Sequence, residues 1–119
     1  MLLVMSSGEL REPVFWILTS LTGGRQHGYA IIQAVAELSE GRVALAVTTL
    51  YASLERLQKD GLVQGDGDEV VSGRLRRYFA ITSEGEQRLA DEAARLDAKL
   101  RVLRTRLGRA STAASGGAA

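Results

Sequence analysis

Apolar residues recur at helical spacing in four stretches of this chain, and an alternating stretch separates the third from the fourth. In the first, Val14, Ile17, Leu18 and Leu21 share one face, which predicts a helix over about Leu10 to Thr22. Pro13 lacks a donor N–H and suits only a first helical turn, so it marks the start. Gly23-Gly24 marks the stop. In the second stretch Ile31, Val35 and Leu38 predict a buried stripe on a helix from near His27-Gly28 to about Ser39, with Gly41 beyond its end. In the third, Leu50, Leu54 and Leu57 predict a helix from about Val47 to Asp60, closed by Gly61 as a left-handed cap.

After Gly61 the period changes. Leu62-Val63-Gln64 and Val70-Val71 read as extended segments with loops between them, Ser72-Gly73 as a tight turn, and Arg74 to Ile81 as a return strand. In that strand Leu75, Arg77 and Phe79 alternate with Arg76, Tyr78 and Ala80. A last helix follows, capped by Thr82 or Ser83, with Ser83 and Glu86 in capping-box spacing. On it Leu89, Ala93, Leu96, Leu100, Leu103 and Leu107 advance by steps of 4, 3, 4, 3 and 4, which is a heptad seam.

From Ser83 to Leu107 such a helix measures roughly 37 Å, more than the small remaining core can cover along its length. The simplest cover is a second copy, so a homodimer is expected through Leu89, Ala93, Leu96, Leu100, Leu103 and Leu107. Phe15 and Trp16 lie off the buried face of the first helix and need a second surface. We assign them to the same dimer interface. The competing reading is a cavity where an aromatic effector stacks on Trp16.

The expected fold is mainly α with a small β-hairpin: a winged helix-turn-helix domain over 1–81 and a C-terminal dimerisation helix over 82–109. Residues 110–119 are only Ala, Ser, Thr and Gly. With no large apolar group to offset the entropy of ordering, they are expected to be a disordered tail.

This order of elements carries a functional expectation. In a winged helix-turn-helix the outer face of the third helix enters the DNA major groove, which at about 12 Å admits one helix. Opposite the three leucines of that helix lie Thr48, Ala52, Glu55, Arg56 and Lys59, with Thr49 and Tyr51 on the flanks. Small and hydroxyl residues at the helix start suit base edges and thymine methyls. Arg56 and Lys59 suit phosphates, which fix register without reading sequence; their plainer reading is a solvated helix face. Arg74, Arg76 and Arg77 would meet the neighbouring backbone or a minor groove. Arg76 and Arg77 point to opposite faces of a regular strand, so one is expected to contact DNA and the other to brace the fold. Asp66, Asp68 and Glu69 could instead neutralise these arginines across the hairpin. Tyr29 and Tyr51 suit either a phosphate contact or packing at the helix junction. His27 reads as a capping or packing residue, since no partners for metal binding or acid–base work lie near it.

Composition narrows the function classes. The chain has 119 residues, no Cys, one His, and a net charge of only +1 from 15 basic and 14 acidic side chains. The charge is segregated: Lys99, Arg101, Arg104, Arg106 and Arg109 form a second basic cluster with no acid among them, and distribution counts for more than the sum. Absence of Cys fits a reducing cytoplasm. The apolar start Met1–Met5 is too short for a signal core or a membrane span, so a soluble cytoplasmic protein is expected. No phosphate-cradling loop, nucleophile–base pair or paired carboxylates can be found, which argues against an enzyme and against a cofactor.

Three segments together resemble the PadR family of bacterial regulators, in the branch with a single C-terminal helix. They are His27-Gly28-Tyr29-Ala30-Ile31; Thr49-Leu50-Tyr51-Ala52-Ser53-Leu54-Glu55-Arg56-Leu57 with Gly61-Leu62-Val63; and Arg76-Arg77-Tyr78-Phe79-Ala80-Ile81-Thr82 with Gly85. The similarity runs from Arg11 to about Ala98. It implies a dimer joined through the last helix that binds double-stranded DNA at an inverted-repeat operator, usually represses, and in some members lets go when a small molecule binds. Two departures stand out: Thr48 where many relatives have Gly, and Leu75 where many have Pro near the hairpin return. The alternative functions are a winged-helix protein-interaction module and a sequence-neutral architectural DNA protein. The near-zero net charge disfavours the second.

Overall fold

The computed structural model describes residues 9–118, with side chains as far as Ala110. The apolar start Met1–Met5 therefore lies outside the described residues. The chain divides into two compact units, Met1–Leu89 and Ala90–Ala119, and each is described by itself.

The first unit holds three helices, a three-stranded antiparallel sheet and the opening turns of a fourth helix. Helix α1 (Glu12–Ser20) begins with Pro13 in its first turn. Strand β1 (Gln26–His27) leads directly into α2 (Gly28–Leu38), and α3 spans Val47–Lys59. Strands β2 (Val63–Val71) and β3 (Arg74–Ile81) form the wing, and α4 spans Ser83–Ala118.

Ile17, Leu18, Leu21, Ile31, Val35, Leu50, Leu54, Leu57, Leu62, Val63 and Phe79 make one buried cluster. Burying each large side chain contributes about 1.5–3 kcal/mol relative to exposure, so these few residues hold the domain. One member of the expected stripe is missing. Leu38 is 47% exposed, because α2 ends there and Ser39, four residues past Val35, takes the inward position instead. The Ser39 hydroxyl accepts the Val43 N–H at 3.0 Å and so fixes the turn toward α3.

The wing is more regular than its sequence suggests. Beta pairing runs along β2 from Val63 opposite Ile81 to Val71 opposite Arg74, with a register shift between Gly65 and Asp68. Where we expected loops, a bulge absorbs the extra residues and the ladder resumes. The tight turn at Ser72-Gly73 has φ of 53° and 79° at its two central residues, the left-handed pair that matches strand twist in a two-residue hairpin. Strand β1 was not anticipated. It pairs with β3, Gln26 opposite Phe79 and His27 opposite Tyr78, and completes the sheet in the order β1-β3-β2.

Of the two candidate caps, Thr82 caps α4, and Ser83 is the first residue of the helix. The Thr82 hydroxyl accepts the Gly85 N–H at 3.0 Å and donates to the Gly61 carbonyl at 2.6 Å. One side chain thus ties the turn after α3 to the start of α4. Within the first unit Leu89 packs on the buried cluster.

The second unit is the rest of α4. Its Leu96, Leu100, Leu103 and Leu107 are 43%, 41%, 53% and 59% exposed. Glu92 is buried and bonds Arg95 one turn along. The helix bounds pass Arg109, where the sequence reading ended it and began the tail; side chains from 111 onward lie outside the described residues. Among the described residues no helix is long and apolar enough to cross a membrane.

Candidate nucleic-acid interface

Helix α3 has two sharply different sides. Leu50, Leu54 and Leu57 are 0%, 1% and 3% exposed, and Thr48, Thr49, Tyr51, Ala52, Arg56 and Lys59 are all exposed. Arg56 meets Asp60 only loosely, at 3.9 Å with both side chains well solvated. Such an exposed pair is worth little, and its guanidinium remains available. A groove of about 630 Å³ runs beside this face, from Thr48, Thr49, Ala52 and Arg56 to Leu10 and Val14 at the start of α1.

A second crevice, of about 540 Å³, lies between the helices and the wing. His27, Gly28, Tyr29 and Tyr51 form one wall, and Arg74 to Arg77 form the other. The two tyrosines differ in their surroundings. Tyr51 stands edge-on to Phe79, with centroids 6.2 Å apart, and lays its ring against Gly28. A Cβ on Gly28 would sit 2.9 Å from Tyr51 Cζ, so this close approach needs glycine. Tyr29 is 65% exposed.

Of the wing arginines, Arg74 and Arg77 are exposed. Arg76 turns inward, its Nη1 3.2 Å from His27 Nε2. Geometry therefore makes Arg76 the bracing member of the pair. Among the described residues no ion pair joins the wing acids to these arginines. Glu69 stands opposite Arg76 and Asp68 opposite Arg77, but the ion pair goes to Arg25, whose Nη2 lies 3.6 Å from Glu69 Oε2. The sequence reading missed Arg25. It stands in an irregular stretch between two glycines and a helix cap, where no periodicity signals its direction.

His27 caps α2: its Nδ1 accepts the Ala30 N–H at 3.3 Å. Both polar neighbours of the ring, Ala30 N–H and Arg76, are donors, and a neutral imidazole has one free lone pair to offer them. Protonation would abolish even that. Burial, then the Arg76 charge, lowers the His27 pKa from its usual 6.5, and Glu69 opposes them. The Tyr78 phenol is held above its usual value, first by its hydrogen bond to Glu69, at 2.8 Å.

Phe15 and Trp16 are half-buried and meet edge-on at 4.9 Å, with Trp16 Nε1 donating to Glu12 at 3.3 Å. They line neither groove described above. Among the described residues no group of three His, Cys, Asp or Glu side chains could hold a metal ion.

Comparison with known proteins agrees with this geometry. The transcriptional regulator PadR-like family matches residues 17–91. A transcriptional regulator of Mycobacterium tuberculosis is 33% identical over 81 residues, 68% of this chain and 72% of that protein. A protein of Lysinibacillus sphaericus is 30% identical over 66 residues, 56% of this chain but only 61% of the relative's length. Among solved structures, a PadR family regulator of Clostridium difficile superposes with a TM-score of 0.67 at 22% identity, covering 82% of this chain and 99% of that one. Bacillus subtilis PadR in complex with operator DNA superposes with a TM-score of 0.60 at 22% identity, over 68% of this chain and 46% of that one. With a family match over more than half its length and the winged-helix architecture on the page, the chain belongs to the PadR-like family of transcriptional regulators.

Proposed function

We propose that this protein is a sequence-specific DNA-binding repressor that acts in the cytoplasm as a homodimer on an inverted-repeat operator. The observation that carries the reading is the exposed side of α3, with Thr48, Thr49 and Ala52 toward its start and Arg56 and Lys59 farther along, beside a wing whose Arg74 and Arg77 are exposed and make no ion pair among the described residues. The first three offer hydroxyls and methyls to base edges, and the cations offer charge to phosphates. Thr48 adds a methyl and a hydroxyl at the helix start, so base preference is assigned partly to it. Tyr29, at the mouth of the crevice, adds a hydroxyl for the backbone. That Bacillus subtilis PadR, which shares the fold, is in complex with operator DNA supports DNA as the partner.

The exposed seam of Leu96, Leu100, Leu103 and Leu107 supports dimerisation, with Leu89, Ala93, Phe15 and Trp16 assigned to the same interface. Two α3 helices would then enter successive major grooves, with half-sites about 10 base pairs apart. An effector that alters their separation would change DNA affinity. Quenching of Trp16 emission by aromatic ligands is expected if Trp16 lines its site, and a flat response across a diverse panel removes that part.

The test is selection of bound duplexes from a random pool by the purified protein at near-physiological salt. An enriched inverted repeat with half-sites one turn apart supports the reading. A folded dimer that enriches nothing overturns it in favour of a protein-interaction module, whose binding, unlike phosphate contact, would not fall steeply with salt.

A further inference from the structure

We propose that Arg25 is the residue that positions the wing. The inference rests on the DNA-binding reading, and it concerns a side chain that does not belong to the presumed DNA-facing set. Arg25 Nη1 donates to the Asp66 carbonyl at 2.8 Å, and Nη2 pairs with Glu69 at 3.6 Å. Its guanidinium carbon lies 4.1 Å from the centroid of the Tyr78 ring, and the Tyr78 hydroxyl donates to the same Glu69 at 2.8 Å. One planar fork from the segment before β1 therefore grips both wing strands, by a carbonyl and a carboxylate on β2 and by an aromatic face on β3. Arginine suits this use because its donors and its stacking face are fixed in one plane.

The place gripped is the weak point of the wing. Asp66 lies inside the register shift between Gly65 and Asp68, where the ladder is interrupted and the hairpin is free to bend. Beyond the bulge, apolar side chains tie the wing to the helices only weakly: Val70 is 70% and Leu75 is 62% exposed. Among the described residues, side-chain polar contacts between the wing and the segment before α2 come from the Arg25 cluster and from Arg76 beside His27, in addition to the backbone pairing of Gln26 and His27 with Phe79 and Tyr78. Without Arg25 the hairpin would swing about its bulge, and Arg74 and Arg77 would meet the DNA backbone in a spread of positions. Arg25 thus acts on DNA affinity through the wing arginines.

A thermodynamic cycle tests this. The full-length wild type, Arg25→Ala, Arg25→Lys, the double variant Arg74→Ala/Arg77→Ala and the triple variant are compared for affinity to the duplex that the wild type enriches. Arg25→Ala is expected to weaken binding about tenfold, and the triple variant to bind within about twofold of the double one, since residues acting as one unit are not additive. Arg25→Lys keeps the charge near Glu69 but loses the fork, so it recovers only part of the affinity. An Arg25→Ala loss that persists in full without the wing arginines overturns the proposal in favour of a direct phosphate contact or a general fold defect.

Amide hydrogen exchange on the free proteins separates the proposal from the DNA reading. Arg25→Ala should speed exchange at 68–71 and 74–77 while α1, α2 and α3 keep their wild-type protection. Unchanged wing exchange overturns the positioning role whether or not any duplex is bound. Faster wing exchange in a protein that enriches no DNA retains the positioning and sinks only the DNA reading.

Discussion

Leu50, Leu54 and Leu57 on α3 and Leu96, Leu100, Leu103 and Leu107 on α4 recur at the same helical spacing, yet the first set is at most 3% exposed and the second at least 41%. Spacing shows that a face will be covered. It does not show by what. The α3 leucines find cover within one chain, because α1, α2 and the sheet close over them. The α4 leucines stand exposed in the second unit, and the dimer proposed above would cover them.

The largest expected effect breaks the covered set. Leu54→Ala should lower stability by about 2–5 kcal/mol, through lost burial and the cavity left behind, measured by urea unfolding against the wild type at one matched protein concentration. Leu100→Asp breaks the exposed set. It should leave the domain folded but monomeric in sedimentation, and weaken operator binding by about a hundredfold, since two leucines, one per copy, lose about 3 kcal/mol of burial. Melting of the wild type should rise with protein concentration and that of the variant should not. A monomeric Leu100→Asp protein with wild-type affinity would sink the dimer reading.

Smaller effects probe the outer side of α3. Arg56→Ala or Lys59→Ala should change stability by less than about 0.5 kcal/mol. Each should weaken binding across all duplexes alike and reduce the slope of log affinity against log salt by about 1. Unchanged salt dependence would leave these side chains as a solvated face.

The smallest effect is on pH dependence. Because the folded pKa of His27 is lowered, its contribution is complete above the unfolded value, about 6.5. It is lost as pH falls from there through the folded value, where the unfolded state binds the proton more readily. His27→Asn keeps a capping oxygen without the titration, so its melting temperature should be flatter between pH 7.5 and 5.5, as a thermal scan at each pH would read. Equal slopes in both proteins would assign the acid sensitivity elsewhere.

Much of the fold was legible in the residues. The starts and stops of α1, α2 and α3 follow from Pro13, His27, Gly41 and Gly61, each acting within a turn of its own position. The heptad seam of α4 was equally plain. Leu38 and Ser39 mark where such reading stops: a period of three or four allows either to point inward, and only the end of α2 decides between them. Ser83 and Thr82 are a second case. Both can cap a helix, and Thr82 does so because its hydroxyl also reaches Gly61. The outer side of α3 was legible by subtraction once its leucines were known to face in. The wing was not, since alternation shows which side chains share a face and not which charge each will meet.

The sequence by itself determined the helices, the His27 cap of α2, the hairpin turn and the leucine rows, because each depends on residues a few positions apart. The tertiary structure decided that Gln26–His27 would become a third strand, that Arg76 would turn inward, and that Arg25 would take the acid expected to serve the wing arginines. Those outcomes join residues far apart in the chain: Arg76 and His27 are 49 positions apart, and the pairing of Gln26 with Phe79 and of Arg25 with Glu69 is of the same order. Partners so distant in the chain meet only after the helices have packed, and nothing local to either one records the meeting.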